Sequence, residues 1–103
     1  MPSDDDVQVV DNPAELRYEL EVDGVLAGII RYRVEPGVIV LVHTDVDPAF
    51  EGRGLGGRLV AGALDDIRAR GLRVVPLCPF AAAYTRRHPE YADLVGVDPA
   101  VSD

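Results

Sequence analysis

The sequence of 103 residues contains one cysteine and no tryptophan. A single cysteine excludes an internal disulfide, so the fold must rest on its hydrophobic core. No apolar run approaches the roughly 18 residues of a membrane-spanning helix, and no N-terminal segment resembles a signal peptide. These absences predict a soluble, cytoplasmic protein without a membrane partner, and we predict no metal site.

Basic residues are also scarce. Ten arginine residues and no lysine stand against 18 acidic residues, which gives a net charge of -8. This acidity argues against nucleic acid as the main partner, because a phosphate backbone demands a basic surface. We predict an acidic, solvated tail over residues 1–6 and a frayed end over residues 97–103. The length leaves room for one core, so residues 1–103 are predicted to form a single domain.

The first half of the chain shows the patterns of antiparallel strands. Residues 16–22 alternate between apolar and polar side chains from Leu16 onward, which is typical of a strand with one buried face. Asp23-Gly24 and Pro36-Gly37 predict tight turns on either side of a second strand. Residues 38–42 are apolar throughout, as in a strand covered on both faces.

A glycine-rich turn and a helix follow this strand. Residues 51–57 read Glu-Gly-Arg-Gly-Leu-Gly-Gly, a helical pattern continues to about Arg70, and residues 72–77 are again apolar and extended. Strand, helix and strand in this order predict a βαβ unit with parallel strands. The predicted fold class is therefore α/β (α+β): a mixed sheet made of an antiparallel meander followed by a βαβ unit, with a short C-terminal helix that ends near His88-Pro89.

A glycine turn that opens a helix presents unpaired amides and the positive end of the helix dipole, so it favours a phosphate ligand. A Walker loop would need lysine and a hydroxyl residue after the glycines, and Gly56-Gly57-Arg58 supplies neither. The glycine spacing also differs from that of a dinucleotide-binding fingerprint. The third alternative is the diphosphate of coenzyme A, and a plain tight connection remains the simplest competing interpretation.

The stretch from Val46 to Leu59 closely resembles the acetyl-CoA signature of the GNAT superfamily of N-acetyltransferases. In that family a Val-x-Pro segment leads to Arg/Gln-x-x-Gly-x-Gly/Ala at the start of a helix. Gly54 and Gly56 match the two glycines, whereas Glu51 departs from the usual arginine or glutamine. Because it also contains Pro-x-Cys ending at Cys78, the chain is similar to the very short, single-domain GNAT-like subgroup that carries this motif.

The resemblance covers roughly residues 16–94 and implies a GNAT-like sheet with acetyl-CoA as the cofactor. It implies that the pantetheine arm lies along the first parallel strand, with backbone groups of Thr44 and Val46 as partners. Arg53 and Arg58 could contact phosphate or be ordinary surface side chains. The implied cofactor-binding residues are Thr44, Val46, Glu51, Gly52, Arg53, Gly54, Leu55, Gly56, Gly57 and Arg58.

Three side chains are candidates for the chemistry. Cys78 could accept an acetyl group covalently, or be a small buried hydrophobe. His43 could take the proton of an amine, directly or through a water, or simply cover the sheet. The resemblance implies that Tyr84 protonates the coenzyme A thiol, and its alternative is a core aromatic. His88 and Tyr91 are predicted to pack the C-terminus.

The predicted function is transfer of an acetyl group from acetyl-CoA to an amine, either a small molecule or a protein lysine, directly or through Cys78. The pair of helices that helps form the acceptor site in the family has no counterpart in the sequence. An acyl-CoA-binding or regulatory module with little turnover is therefore the main alternative, and a protein-interaction domain is the third. Oligomeric state has no signal in the sequence.

Overall fold

A five-stranded sheet organises the part of the chain that the structure, a computed structural model, describes: residues 6–96. The first four strands are antiparallel, the fifth is parallel to the fourth, and helix α1 (Leu55–Ala69) connects these two. The predicted meander followed by a βαβ unit is confirmed. In spatial and chain order the strands are β1 (Val7–Asn12), β2 (Arg17–Val22), β3 (Val25–Glu35), β4 (Val38–Val46) and β5 (Arg73–Pro76).

The two predicted termini fall almost entirely outside the described residues. Of the acidic tail over residues 1–6, only Asp6 is described, and the frayed end over residues 97–103 lies outside. Asp6 is exposed, and its amide donates to Oδ1 of Asp23 over 3.0 Å. The amide of Asp23 donates in return to the Asp6 carbonyl over 2.8 Å, so this residue holds the start of β1 against the turn between β2 and β3.

The first connection differs from the prediction. Leu16 was expected to begin the strand, but it has φ 54° and is 48% exposed. It ends a 3-10 turn (Pro13–Glu15) in which the Asn12 side chain accepts a hydrogen bond from the Glu15 amide. Proline sets the turn and the chain must reverse there to make β1 and β2 antiparallel, so Leu16 takes part in the reversal and β2 starts at Arg17.

Helix α1 packs its apolar stripe against one face of the sheet. Gly62 lets it approach closely, since a Cβ added there would lie 2.6 Å from the Cβ of Val9 on β1. The hydroxyl of Tyr18 on β2 donates to Asp66 of the helix over 2.7 Å. The stripe buries Leu55, Leu59, Val60, Ala63, Leu64 and Ile67, all in the main hydrophobic cluster.

The C-terminal elements complete the same core. Helix α2 (Pro79–Arg87) is followed by a 3-10 segment (Pro89–Leu94), from which Tyr91 and Leu94 are buried. Tyr91 donates to Asp65 of α1 over 2.7 Å, and burial together with this hydrogen bond raises the pKa of Tyr91 to about 12. The predicted packing of this segment is confirmed. Within residues 6–96 no helix has the length and apolar character to cross a membrane.

A β-bulge at Val42 changes which side chains at the end of β4 face the core. Between the pairs at Leu41 and His43, β3 advances by one residue while β4 advances by two, so Val42 is the extra residue. It is 44% exposed, and the predicted cover on both faces is therefore wrong at Val42. Beyond the bulge His43 is exposed, while Thr44 pairs with the fully buried Ile30 and faces α1.

Candidate functional site

A cavity of about 370 Å³ opens between the end of β4 and the first turn of α1. This volume is within the range of small-molecule sites. Every residue predicted to bind the cofactor, except Arg53 and Arg58, lies in its lining, and two phenylalanines that the sequence did not indicate join them. The lining residues are Thr44, Val46, Phe50, Glu51, Gly52, Gly54, Leu55, Gly56, Gly57 and Phe80.

Unpaired backbone amides occupy one end of this cavity. Gly52 and Gly54 have φ 82° and 72°, a conformation that favours glycine, and Gly54 caps α1 without a side-chain hydrogen bond. Within residues 6–96, the amides of Leu55, Gly56 and Gly57 have no protein acceptor. Amides at a helix start, with the helix dipole behind them, make an anion-binding site.

The anion end also contains one carboxylate. Glu51 lines the cavity and is exposed, and its amide already donates to the Pro48 carbonyl over 3.3 Å. Glu51 therefore offers a bound anion no free amide, and its negative side chain would repel that anion. Arg53 lies with its guanidinium 5.6 Å from the ring of Phe50, at the rim and outside the lining.

Phe80 closes the side of the cavity formed by α2. A Cβ added to Gly56 would lie 2.8 Å from the Phe80 ring, and one added to Gly57 would lie 3.5 Å from the Tyr84 ring. Two consecutive glycines in the first turn therefore admit two aromatic rings spaced one helical turn apart on α2. Two adjacent glycines in one helix and two aromatic residues four positions apart in the next could have indicated this contact in the sequence.

Cys78 is buried beside Thr44, just outside the cavity lining. Its side chain is 3% exposed, and its Sγ is 3.1 Å from Oγ1 of Thr44, which lines the cavity. The last pair between β4 and β5 joins Leu41 and Pro76, and the amides of Leu77 and Cys78 both donate to the Leu41 carbonyl. Beyond this point the ladder between β4 and β5 ends, and Cys78 becomes the N-cap of α2.

His43 is not brought to Cys78. It pairs with Arg31 across β3 and is exposed on the face opposite to Thr44, since neighbouring residues of a strand point to opposite sides. Among the contacts of residues 6–96, none joins His43 to the Cys78 sulfur. The bulge at Val42 explains this, because it shifts the alternation of β4 by one residue.

Tyr84 belongs to an aromatic group on the side of α2 that faces α1. Its ring stacks on His88 with centroids 3.9 Å apart, and the ring of Tyr91 is 6.2 Å away. Burial raises the pKa of Tyr84, and the nearby charges of Glu90 and Asp65 raise it further. The Tyr84 hydroxyl therefore keeps its proton at neutral pH. The stacking of His88 on Tyr84 confirms the predicted packing role of His88.

A sequence profile described as GCN5-related N-acetyl-transferase matches residues 17–94. The chain belongs to this family. The resemblance seen in the glycine turn and its surroundings is thus confirmed, and the cavity occupies the part of the family fold where the signature residues begin α1.

Two comparisons with single proteins agree with the family. A mycothiol acetyltransferase from Clavibacter michiganensis is 40% identical over 81 residues, which cover 73% of this chain and 26% of that protein. The chain thus spans about a quarter of the length of this curated relative. A GNAT family acetyltransferase from Brucella melitensis, solved in complex with acetyl-CoA, is 31% identical with a TM-score of 0.57, covering 73% of this chain and 53% of that one.

The solution structure of a GCN5-like protein from Staphylococcus aureus matches nearly the whole chain. Its TM-score is 0.65 at 22% identity, and the match covers 91% of this chain and 93% of that one. At this identity the likeness concerns the fold. It extends the family architecture to a protein of about the same length.

Proposed function

We propose that this chain is a single-domain N-acetyltransferase that binds acetyl-CoA in the cavity and transfers the acetyl group to an amine, by way of Cys78. One observation carries this proposal: the cavity is lined both by the unpaired amides at the start of α1 and by Thr44, whose hydroxyl lies 3.1 Å from the Cys78 sulfur. The first suits a diphosphate and the second suits a thioester. The family membership and the acetyl-CoA complex of the Brucella relative support the choice of ligand.

In the proposed complex the diphosphate accepts hydrogen bonds from the amides of residues 55–57. The pantetheine arm then lies along residues 42–46 of β4, where the ladder with β5 has ended and backbone groups are available. Thr44 and Val46 line this part of the cavity. The thioester end reaches the gap between the two strands, next to Cys78.

The proposed chemistry has two steps. The Cys78 sulfur forms a bond to the acetyl carbon while the bond from that carbon to the coenzyme A sulfur breaks, and the proton lost by Cys78 is balanced by one taken up by the departing thiolate. Tyr84 is proposed as the donor of that proton. A neutral amine then forms a bond to the acetyl carbon while the bond from that carbon to the Cys78 sulfur breaks, and the proton lost by the amine is balanced by one taken up by the Cys78 thiolate.

The acceptor in this proposal is a small-molecule amine or a protein lysine that approaches the gap between β4 and β5. One observation favours the alternative of an acyl-CoA-binding module. The connection between β1 and β2 is only the 3-10 turn Pro13–Glu15, so within residues 6–96 no helix pair lies between the first two strands to form an acceptor site.

The proposal is tested by adding acetyl-CoA to the full chain. Binding at 100 times Kd should stabilise the fold by about 2.7 kcal/mol and raise Tm by roughly 10 °C or more. Intact-protein mass should increase by about 42 Da, one acetyl group. The sequence contains no lysine, so Cys78 and the terminal amine are the strongest nucleophiles for this adduct, and peptide mapping identifies its position.

Turnover is followed as release of free thiol across a panel of amines. Release that depends on an amine supports the transferase. Stabilisation by coenzyme A with no adduct and no thiol release would favour the module instead, and absence of stabilisation would exclude both.

Glu51→Gln should tighten coenzyme A binding. Removing one negative charge beside the diphosphate is expected to lower Kd about three- to tenfold at low ionic strength, with a smaller gain as salt screens the charge. Isothermal titration at two salt concentrations measures this. Glu21→Gln removes a charge of the same sign from β2, at a position outside the cavity lining. This control variant should leave Kd unchanged. Equal effects of both variants would mean that Glu51 acts only through net charge.

A further inference from the structure

We infer that Thr44 is a positioning residue for Cys78: its hydroxyl holds the sulfur toward the cavity and donates to it once the thiol has ionised. This inference rests on the proposed function and adds to it a residue whose side chain has no assigned role. The contact that carries it is the 3.1 Å distance between Oγ1 of Thr44 and Sγ of Cys78, two residues 34 positions apart in the sequence.

The bulge in β4 creates this contact. Leu41 faces the core, and regular alternation would turn residue 43 to that side and residue 44 away. With Val42 as the extra residue, Thr44 faces the core instead, opposite Ile30. Bulges redirect side chains in this way near functional sites, and here the redirected side chain is the one that meets the sulfur.

Thr44 is placed between the sulfur and the cavity. It lines the cavity and is partly buried, whereas Cys78 is 3% exposed and lies outside the lining. In the described residues the hydroxyl has no other hydrogen-bond partner than this sulfur. Removing the hydroxyl would thus leave the Cys78 sulfur without its hydrogen-bonding neighbour on the cavity side.

The chemistry of the two groups fits the role. A threonine hydroxyl both donates and accepts, so it can accept from the S–H group of the thiol and then rotate to donate to a thiolate. Hydrogen bonds to a charged atom are stronger than neutral ones, so the contact stabilises the thiolate more than the thiol. After acetyl transfer the sulfur is a weaker acceptor, and the hydroxyl is released.

The test compares Thr44→Val, which keeps the side-chain shape but loses the hydroxyl, with Thr44→Ser, which keeps the hydroxyl. Two readouts need no acetyl-CoA: the ultraviolet absorbance of the thiolate and the rate of iodoacetamide alkylation, both against pH. Cys78 is the only cysteine, so Cys78→Ser is a complete blank for both. Thr44→Val should reduce the alkylation rate at neutral pH about tenfold and lower the thiolate absorbance at that pH.

Thr44→Ser should stay within about twofold of the wild type, since its hydroxyl can make the same hydrogen bond. Thr85→Val is the matched control: it removes the hydroxyl of the buried Thr85, which donates to the Ala82 carbonyl within α2, and it should leave both profiles unchanged. Profiles of Thr44→Val that coincide with the wild type would overturn the inference, as would a loss shared equally with Thr44→Ser.

Acetyl adduct formation separates this inference from the proposed function. A wild type that binds coenzyme A but forms no adduct contradicts the covalent route, whatever the thiolate profiles show. An adduct that forms on Thr44→Val as fast as on the wild type overturns the role of Thr44 and leaves the route intact. In the expected result, at saturating acetyl-CoA, the adduct forms about tenfold more slowly on Thr44→Val than on the wild type or Thr44→Ser.

Discussion

Gly54→Val is expected to weaken coenzyme A binding at least about 100-fold. Gly54 has φ 72° at the N-cap of α1, and a β-branched residue is a severe outlier in that conformation. The turn must therefore change its path, which moves the amides of residues 55–57 away from their common anion site. Loss of two hydrogen bonds to a charged diphosphate costs about 3 kcal/mol, which corresponds to the predicted change.

Gly71→Val provides the matched control for this prediction. Gly71 has φ 71° just beyond the other end of the same helix, and a Cβ there would meet nothing within 4 Å, as at Gly54. Both variants should lose a similar amount of stability, about 1–2 kcal/mol from the left-handed conformation alone. Only Gly54→Val should lose binding, as measured by titration calorimetry below the Tm of each variant. Equal binding by the two variants would contradict an anion site at the start of α1.

Cys78→Ser is expected to abolish the acetyl adduct and to reduce kcat/KM for amine acetylation at least about 1000-fold. A serine hydroxyl at this buried position is a far poorer nucleophile than a thiol, because it ionises much less readily. Neutral hydroxylamine should remove the adduct from the wild type, as expected for a thioester. Mass spectrometry and thiol-release kinetics measure the two effects.

The binding of coenzyme A is the internal control for Cys78→Ser. Cys78 lies outside the cavity lining, so Kd and the rise in Tm should match those of the wild type. A variant that retains turnover within about tenfold would indicate direct transfer from acetyl-CoA to the amine, with Cys78 as a small buried hydrophobe. The family membership does not distinguish these routes, because it concerns the reaction and the fold rather than this side chain.

Much of this protein follows from local patterns in the sequence. The alternation over residues 17–22, the turns at Asp23-Gly24 and Pro36-Gly37, and the amphipathic stripe of α1 each depend on neighbours in the chain. Gly52 and Gly54 also follow from a local pattern, because their φ values of 82° and 72° are backbone conformations that favour glycine. The cavity lining could therefore be predicted nearly complete, since most of it belongs to one contiguous turn.

Only the tertiary structure decided how the chemical groups meet. The bulge at Val42 arises from the register between two strands, which no local pattern encodes, and it turns Thr44 toward Cys78 and His43 away. The ring of Phe80 reaches Gly56 because α2 packs on α1. Backbone preferences act between adjacent residues and can be read along the chain, whereas these contacts join residues 24 to 34 positions apart and exist only once the sheet has paired and the helices have packed.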